Sequence, residues 1–169
     1  MVSRMRDNDV SGTIVRVVGE THRRLPTSLT VRACSEDEQG WVIAIQLANE
    51  PLRCELSGYF FEHALRSFSK ALRSLQWKLS GEASLVSFDE ELVLIVVRGH
   101  RGSPNVCLKL VHGAQARTWV GSIDAERDEA QRVVLDSGFI RIDAGLVGLI
   151  AEQVEEFLRQ PTLLLSQEP

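Results

Sequence analysis

Three short acidic clusters contain the residues whose type and spacing could do chemistry in this sequence. Paired carboxylates can act as a general acid and a general base, or they can form a negative surface that attracts a basic partner. All three clusters fall in predicted turns, where a carboxylate is most often a solvated charge. Catalytic carboxylates usually line a cleft with aromatic or apolar walls, and the sequence contains one tyrosine, Tyr59. Of the two functions, we therefore follow the negative surface that attracts a basic partner. The candidate partner-binding residues are Glu36, Asp37 and Glu38 in the first cluster, Asp89, Glu90 and Glu91 in the second, and Asp128 in the third, which runs from Asp124 to Glu129.

The remaining reactive side chains have no catalytic or metal-binding spacing. The four histidines share no metal-ligand pattern, and neither a glycine-rich phosphate loop nor a Gly-x-Ser-x-Gly sequence is present. Cys107 and His112 are five residues apart in one predicted strand, so their side chains would project from opposite faces. The sequence therefore predicts no catalytic residue, no metal ligand and no cofactor. The histidines are His22, His63, His100 and His112.

Composition is that of an ordinary globular chain with a mild acidic excess. The 169 residues suffice for one domain, and 44% of them are apolar and 25% charged. The 19 basic and 23 acidic side chains give a formal net charge of −4. This charge argues against a general nucleic-acid binder, which needs a basic excess to neutralise phosphates. No signal-peptide segment is present, and apolar runs such as Leu92 to Val97 are far shorter than the ~18 residues of a membrane helix, so a cytoplasmic location is predicted.

Two segments have the apolar spacing of an amphipathic helix. The first stripe, with intervals of 4, 3, 4 and 3 residues, predicts a helix over about 59–77 with Ser57 as its N-cap. The second predicts a helix over about 144–159 with Asp143 as its N-cap and Glu155 facing water. The first helix also has a basic face, which either keeps the helix solvated or forms a competing docking surface for an acidic partner. The first stripe is Phe61, Leu65, Phe68, Leu72 and Leu75, and the basic face is Arg66, Lys70 and Arg73.

Runs of alternating or β-branched residues predict the strands. Their connections are short and polar, which favours antiparallel pairing over a doubly wound parallel sheet. The predicted fold class is therefore α+β, with one domain over 1–169, a mostly antiparallel sheet of about seven to nine strands, and two main helices packed on it. Flexible tails are predicted at 1–10 and 162–169. The predicted strands cover 13–18, 29–34, 41–48, 52–56, 82–88, 92–98, 106–112, 118–124 and, as one or two strands, 132–142.

About 100 residues from Phe61 onward resemble the WapI-type immunity family of small bacterial proteins and its uncharacterised relatives. The resembling stretch begins with the first helical stripe, and it continues through Leu79-Ser80-Gly81, Ala83-Ser84-Leu85 and Leu92 to Val97. It ends with Phe139-Ile140-Arg141-Ile142-Asp143 before the last helix, where Ala144 replaces the glutamine of the family pattern. The resemblance implies a non-enzymatic cytoplasmic protein that binds and neutralises a toxin domain. It implies no catalytic or cofactor residue.

Two functions from different classes follow from these observations. The first is a non-enzymatic protein-binding module, most specifically an immunity protein whose partner is another protein and not a nucleic acid or a membrane. The second is a small-molecule-binding or weakly enzymatic α+β domain whose site would assemble from the loops over 99–104 and 132–138. The three cysteines, Cys34, Cys54 and Cys107, are interpreted as free, buried thiols.

Overall fold

Eight strands and two helices make up the part of the chain that the structure describes. The structure is a computed structural model, and it describes residues 12–21, 26–49, 52–78, 80–99, 106–113 and 140–159. Four strands, a helix, four strands and a second helix follow one another along the chain, which confirms the predicted α+β class. The elements are β1 (Thr13–Thr21), β2 (Pro26–Glu36), β3 (Gly40–Asn49), β4 (Leu52–Phe61), α1 (Glu62–Trp77), β5 (Gly81–Val86), β6 (Leu92–Arg98), β7 (Val106–His112), β8 (Ile140–Ile142) and α2 (Leu146–Arg159).

All eight strands belong to one antiparallel sheet, in the order β4-β3-β2-β1-β8-β7-β6-β5. Most neighbours in the sheet are also neighbours in the chain, as the short polar turns predict. Two pairings differ: β7 and β8 are separated by residues 114–139, which lie outside the described ranges, and β1 pairs with β8, where Glu20 lies opposite Arg141 and Thr21 lies opposite Ile140. The β1–β8 pairing joins the first four strands to the last four. It leaves β4 and β5 as the two edges of the sheet, and α1 is the segment that connects them.

The main core lies between the helices and one face of the sheet. α1 contacts α2 and β5, and α2 also contacts β1. Trp41 of β3 meets Phe157 of α2 edge to face, with ring centroids 5.1 Å apart. The predicted stripe of α1 is buried because it faces this core: Leu65, Phe68, Leu72 and Leu75 are each at most 2% exposed.

β6 is covered on both of its faces. Leu92, Leu94 and Val96 belong to the main core, whereas Val93, Ile95 and Val97 form a second apolar cluster on the opposite face. All six side chains are at most 5% exposed. Because successive side chains of a strand point to opposite faces, apolar residues at every position predict this two-sided burial.

The first helix begins later than its apolar spacing predicts. β4 pairs with β3 residue by residue as far as Phe61, which lies opposite Gly40, so α1 starts at Glu62 and not at residue 59. Ser57 lies within β4, and its predicted role as the N-cap is wrong. Phe61 occupies the N-cap position, and its side chain makes no capping hydrogen bond. The ladder with β3, a contact distant in sequence, therefore outweighs the local helical preference of these residues.

The start of the second helix agrees better with its predicted cap. The carboxylate Oδ1 of Asp143 accepts a hydrogen bond from the Gly145 N–H at 2.8 Å, and the Asp143 carbonyl accepts one from the Leu146 N–H at 3.0 Å. Asp143 thus orders the turn from which α2 begins at Leu146. Neither of the helices in the described ranges is long and apolar enough to cross a membrane.

Several predictions concern residues outside the described ranges. They include the tails 1–10 and 162–169, the strand over 118–124, and the segment 132–139. Among the cysteines, Cys34 and Cys107 are free, but the prediction of burial is wrong for Cys34, which is exposed on β2. The cause is the alternation of the strand, which directs Ala33 into the core and Cys34 to the opposite face. The side chain of Cys54 lies outside the described part.

Candidate functional site

Tyr59 joins two of the three predicted acidic turns. This residue lies near the end of β4, at one edge of the sheet. Its hydroxyl donates a hydrogen bond to Oδ1 of Asp37 at 2.6 Å, in the turn between β2 and β3. Its carbonyl accepts a hydrogen bond from the Phe88 N–H at 2.7 Å, in the turn between β5 and β6. The sequence places these turns about 50 residues apart, and the curvature of the sheet brings both to one tyrosine.

The first acidic turn is held together by its own carboxylates. Besides the Tyr59 hydroxyl, Oδ1 of Asp37 accepts hydrogen bonds from the N–H groups of Gln39 and Gly40 at 2.8 and 3.0 Å. Oε2 of Glu36 accepts a hydrogen bond from the indole Nε1–H of Trp41 at 3.1 Å. Asp37 and Glu36 therefore have structural roles, and they are not freely available to a partner.

The Asp37–Tyr59 hydrogen bond moves the pKa values of both groups away from neutrality. Donation from Tyr59 is the main cause that lowers the pKa of Asp37, and the backbone N–H groups lower it further. The same hydrogen bond, with smaller contributions from burial and from the charge of Asp37, raises the pKa of Tyr59 to about 12. Near neutral pH the carboxylate therefore stays ionised and the phenol stays protonated. The Tyr59–Asp37 hydrogen bond is thus a permanent link between the turn and β4.

The second acidic turn is shaped by Ser87 and Asp89. The hydroxyl of Ser87, a residue that is 3% exposed, donates to Oδ1 of Asp89 at 2.6 Å and accepts from the Leu92 N–H at 3.0 Å. Glu90 adopts a φ of +59°, which is uncommon for a residue other than glycine. This tight turn sets Phe88 and Glu90 at the surface, and both are exposed.

Four rings form a continuous aromatic cluster between the two turns. The ring of Phe61 meets Tyr59 edge to face, with centroids 5.4 Å apart, and meets Phe88 edge to face at 5.1 Å. It also stacks on His63, with centroids 5.3 Å apart. Phe88 is 66% exposed. The cluster therefore presents an unusual apolar ring to water beside two acidic turns.

Three exposed carboxylates lie in the segments that carry the cluster or bond to it. Glu38 and Glu90 lie at the tips of the two turns, and no hydrogen bond or ion pair of their side chains occurs within the described residues. Glu62, in the first turn of α1, pairs with Arg66 four residues later. We call the group formed by Glu38, Tyr59, Phe61, Glu62, Phe88 and Glu90 the acidic–aromatic surface. Its chemistry suits the binding of a cation beside an aromatic ring.

The predicted site residues are thus partly brought together. Glu36 to Glu38 and Asp89 to Glu91 lie on the two sides of Tyr59, whereas Asp128 lies outside the described residues. The sequence patterns do not predict the aromatic members of the surface. The helical spacing places Phe61 on the apolar stripe, and no pattern in the sequence gives Tyr59 a role. The one signal available was Phe88, an apolar residue between Ser87 and Asp89 in a polar turn.

The competing basic face is largely occupied by partners within the chain. The Nε and Nη2 groups of Arg73 donate to the two carboxylate oxygens of Glu155 at 2.9 and 2.8 Å, so the prediction that Glu155 faces water is wrong. The hydrogen bonds from Arg73 are the main cause that lowers the pKa of Glu155. Arg66 pairs with Glu62, which leaves Lys70 as the member of this face without such a partner in the described ranges. The reason is the packing of α1 against α2, which the helical spacing alone does not show.

The alternative loop-built site falls outside the described residues, apart from Gly99. In the ranges that are described, no group of three or more His, Cys, Asp or Glu side chains converges to hold a metal ion.

Comparisons with protein-family models, with curated proteins and with solved structures return no match for this chain.

Proposed function

We propose that this protein is a non-enzymatic binding module that docks another protein on its acidic–aromatic surface. The observation that carries the proposal is Phe88, which is 66% exposed and is fixed against Phe61 by an edge-to-face contact. Protein interfaces are enriched in aromatic anchors of this kind, surrounded by polar groups at the rim. A ring held in place before binding loses little conformational freedom when a partner covers it.

The charge around Phe88 selects a basic partner. Glu38 and Glu90 lie in the two turns that meet at Tyr59, Glu62 follows Phe61 and is paired with Arg66, and the whole chain has a formal net charge of −4. Opposite potentials steer the encounter of two proteins and suppress wrong partners. Nucleic acids and anionic lipid surfaces would be repelled by the same carboxylates. A basic protein surface is therefore the occupant that this site favours.

The finer form of the proposal is that the partner is a toxin domain and that the protein neutralises it in the cytoplasm. The similarity of the stretch from Phe61 to Asp143 to WapI-type immunity proteins supports this form. Inhibition by binding requires a complementary surface and no reactive group. Nuclease toxins are often basic, which agrees with the charge of the acidic–aromatic surface.

The first experiment is capture of the partner from the native host. The tagged full-length protein is purified, the copurifying proteins are identified, and the neighbouring genes are tested for toxicity. The proposal predicts recovery of one basic protein in a stoichiometric complex, and protection of growth when both proteins are expressed together. Recovery of no protein partner, together with turnover of a small molecule, would favour the enzymatic alternative.

The second experiment tests the surface with a matched control. The double substitution Glu38→Gln and Glu90→Gln removes two carboxylates without breaking a side-chain hydrogen bond in the described residues. The control, Glu20→Gln with Glu152→Gln, removes the same charge from exposed positions on β1 and α2 and also breaks no such bond. Glu20 lies opposite Pro26, which is roughly 33 Å along β2 from Glu36 at 3.3 Å per residue. That distance exceeds the ~8 Å Debye length at physiological ionic strength. We expect slower association and a flatter salt dependence for the first variant only, with equal thermal stability for both.

A further inference from the structure

The face of the Phe88 ring and the carboxylates of the same surface would both attract a cation. The face of an aromatic ring carries the negative part of its quadrupole, and a cation placed over that face is attracted to it. Phe88 offers an exposed ring, and the contact with Phe61 holds this ring at a defined angle of 85°. Glu90 is two residues along the same turn, and Glu38 lies in the other turn, which is hydrogen-bonded to Tyr59, the residue that also bonds the Phe88 N–H.

An exposed ring together with carboxylates favours arginine over lysine. Lysine carries a compact and strongly hydrated charge, which is poorly suited to lie on an apolar ring. The arginine guanidinium is planar and weakly hydrated, so one of its faces can stack on a ring while its edge donates hydrogen bonds to carboxylates. An exposed phenyl ring with a carboxylate in the same turn offers both contacts together.

We infer that the acidic–aromatic surface recognises an arginine side chain of the partner, whose guanidinium stacks on Phe88 and donates hydrogen bonds to Glu90, while Glu38 adds to the negative potential of the surface. The inference rests on the proposed docking function and specifies its chemistry. In this arrangement the ring provides selectivity for arginine, and the carboxylates provide attraction for any cation. Phe61 and Tyr59 keep the ring in position and do not contact the ligand.

The test uses the full chain and short peptides as probes, so it does not depend on identifying the partner. Hexa-arginine, hexa-lysine and hexa-citrulline peptides are titrated into the protein while the NMR signals of the Phe88 ring are followed. Citrulline keeps the shape of arginine and removes its charge. We expect arginine to bind more tightly than lysine, citrulline not to bind, and the Phe88 ring signals to shift in the arginine titration.

The contribution of the ring is measured with fluorinated phenylalanines at position 88. Successive fluorine atoms withdraw electron density from the ring face while the side chain keeps nearly the same shape. The arginine affinity should fall stepwise, and Phe88→Leu should lower it by about two- to fivefold, the size of a cation–π contact at an exposed site. The lysine affinity should change less. Because Phe88 is 66% exposed and packs on the chain through Phe61, these variants should stay folded with at most a small loss of thermal stability.

The outcomes separate this inference from the proposed function. Equal binding of arginine and lysine peptides, unaffected by fluorination, would overturn the arginine inference and leave charge-driven docking intact. If no basic peptide binds and the captured partner still binds the Glu38→Gln and Glu90→Gln variant normally, both proposals are wrong. If the arginine selectivity is present but no protein partner exists, the inference about the surface stands and the docking function does not.

Discussion

Leucine-to-alanine substitutions at Leu72 and Leu149 test the packing that positions the whole surface. Leu72 lies in α1 and is 0% exposed, whereas Leu149 lies in α2 and is 43% exposed. The two changes remove the same atoms from a helix and bring the same change in helix propensity. The difference in their effects therefore measures burial alone.

The magnitude follows from the atoms removed. Three buried carbon groups at about 0.8 kcal/mol each give a transfer contribution of about 2.4 kcal/mol. The cavity left in a packed interior brings the total for Leu72→Ala to roughly 3–5 kcal/mol, against a total stability of about 5–15 kcal/mol for an ordinary domain. For a chain of this length each kcal/mol lowers Tm by roughly 2–4 °C, so a loss of 3 kcal/mol corresponds to roughly 6–12 °C. Leu149→Ala should cost less than about 1 kcal/mol.

Urea and thermal unfolding, followed by circular dichroism, give both free energies of unfolding. The denaturant slope should be the same in both variants, since unfolding exposes nearly the same surface area in each. Leu72→Asp should be more damaging than Leu72→Ala, because it leaves an unpaired charge in the core. Equal losses for Leu72→Ala and Leu149→Ala, or a loss below about 1 kcal/mol at Leu72, would refute the packing of α1 described above.

Two further predictions concern the Tyr59–Asp37 hydrogen bond and the pairing of β1 with β8. Because the folded pKa of Tyr59 is about 12 and its ordinary value is 10.0, the stabilisation from this phenol is complete below pH 10 and is lost as the pH rises toward 12. Because the pKa of Asp37 is lowered from 3.8, the stabilisation from this carboxylate is complete above that pH and is lost as the pH falls below it. At the junction of β1 with β8, Gly19→Ala should cost roughly 1–3 kcal/mol, since a Cβ there would clash with the backbone carbonyl oxygen of Arg141.

Each of these predictions has a control within the chain. Tyr59 is the one tyrosine in the sequence, so tyrosinate absorbance reports its titration directly, and Asp37→Asn should return its pKa toward 10.0. An unchanged titration in that variant would show that the hydrogen bond is not the cause. Gly148→Ala is the control for Gly19→Ala, because its new Cβ would meet the movable side-chain amide of Gln76 and alanine favours the helix. An equal or greater loss at Gly148 would contradict the tight approach at the sheet junction.

Much of the architecture follows from local patterns. The bounds of β6 and β7 agree with the predicted strands over 92–98 and 106–112, because runs of apolar residues between glycine-containing or acidic turns specify strands with little ambiguity. Burial of Leu72 follows from spacing, since every helix of period 3.6 aligns these positions. The acidic turns are also visible in the sequence, since short polar connections must lie at the surface.

The site itself depends on contacts that no local pattern contains. The helical preference of the residues before Glu62 is local, but the ladder with β3 keeps them in β4, and this places Tyr59 at the sheet edge. Arg73 looks like a solvated charge until the packing of α1 against α2 brings Glu155 within 2.8 Å. Two acidic turns about 50 residues apart in sequence meet at Tyr59 because an eight-stranded sheet must twist and curve. The sequence alone determined which side chains carry charge and which are apolar, and the curvature of the sheet decided which of them share a surface.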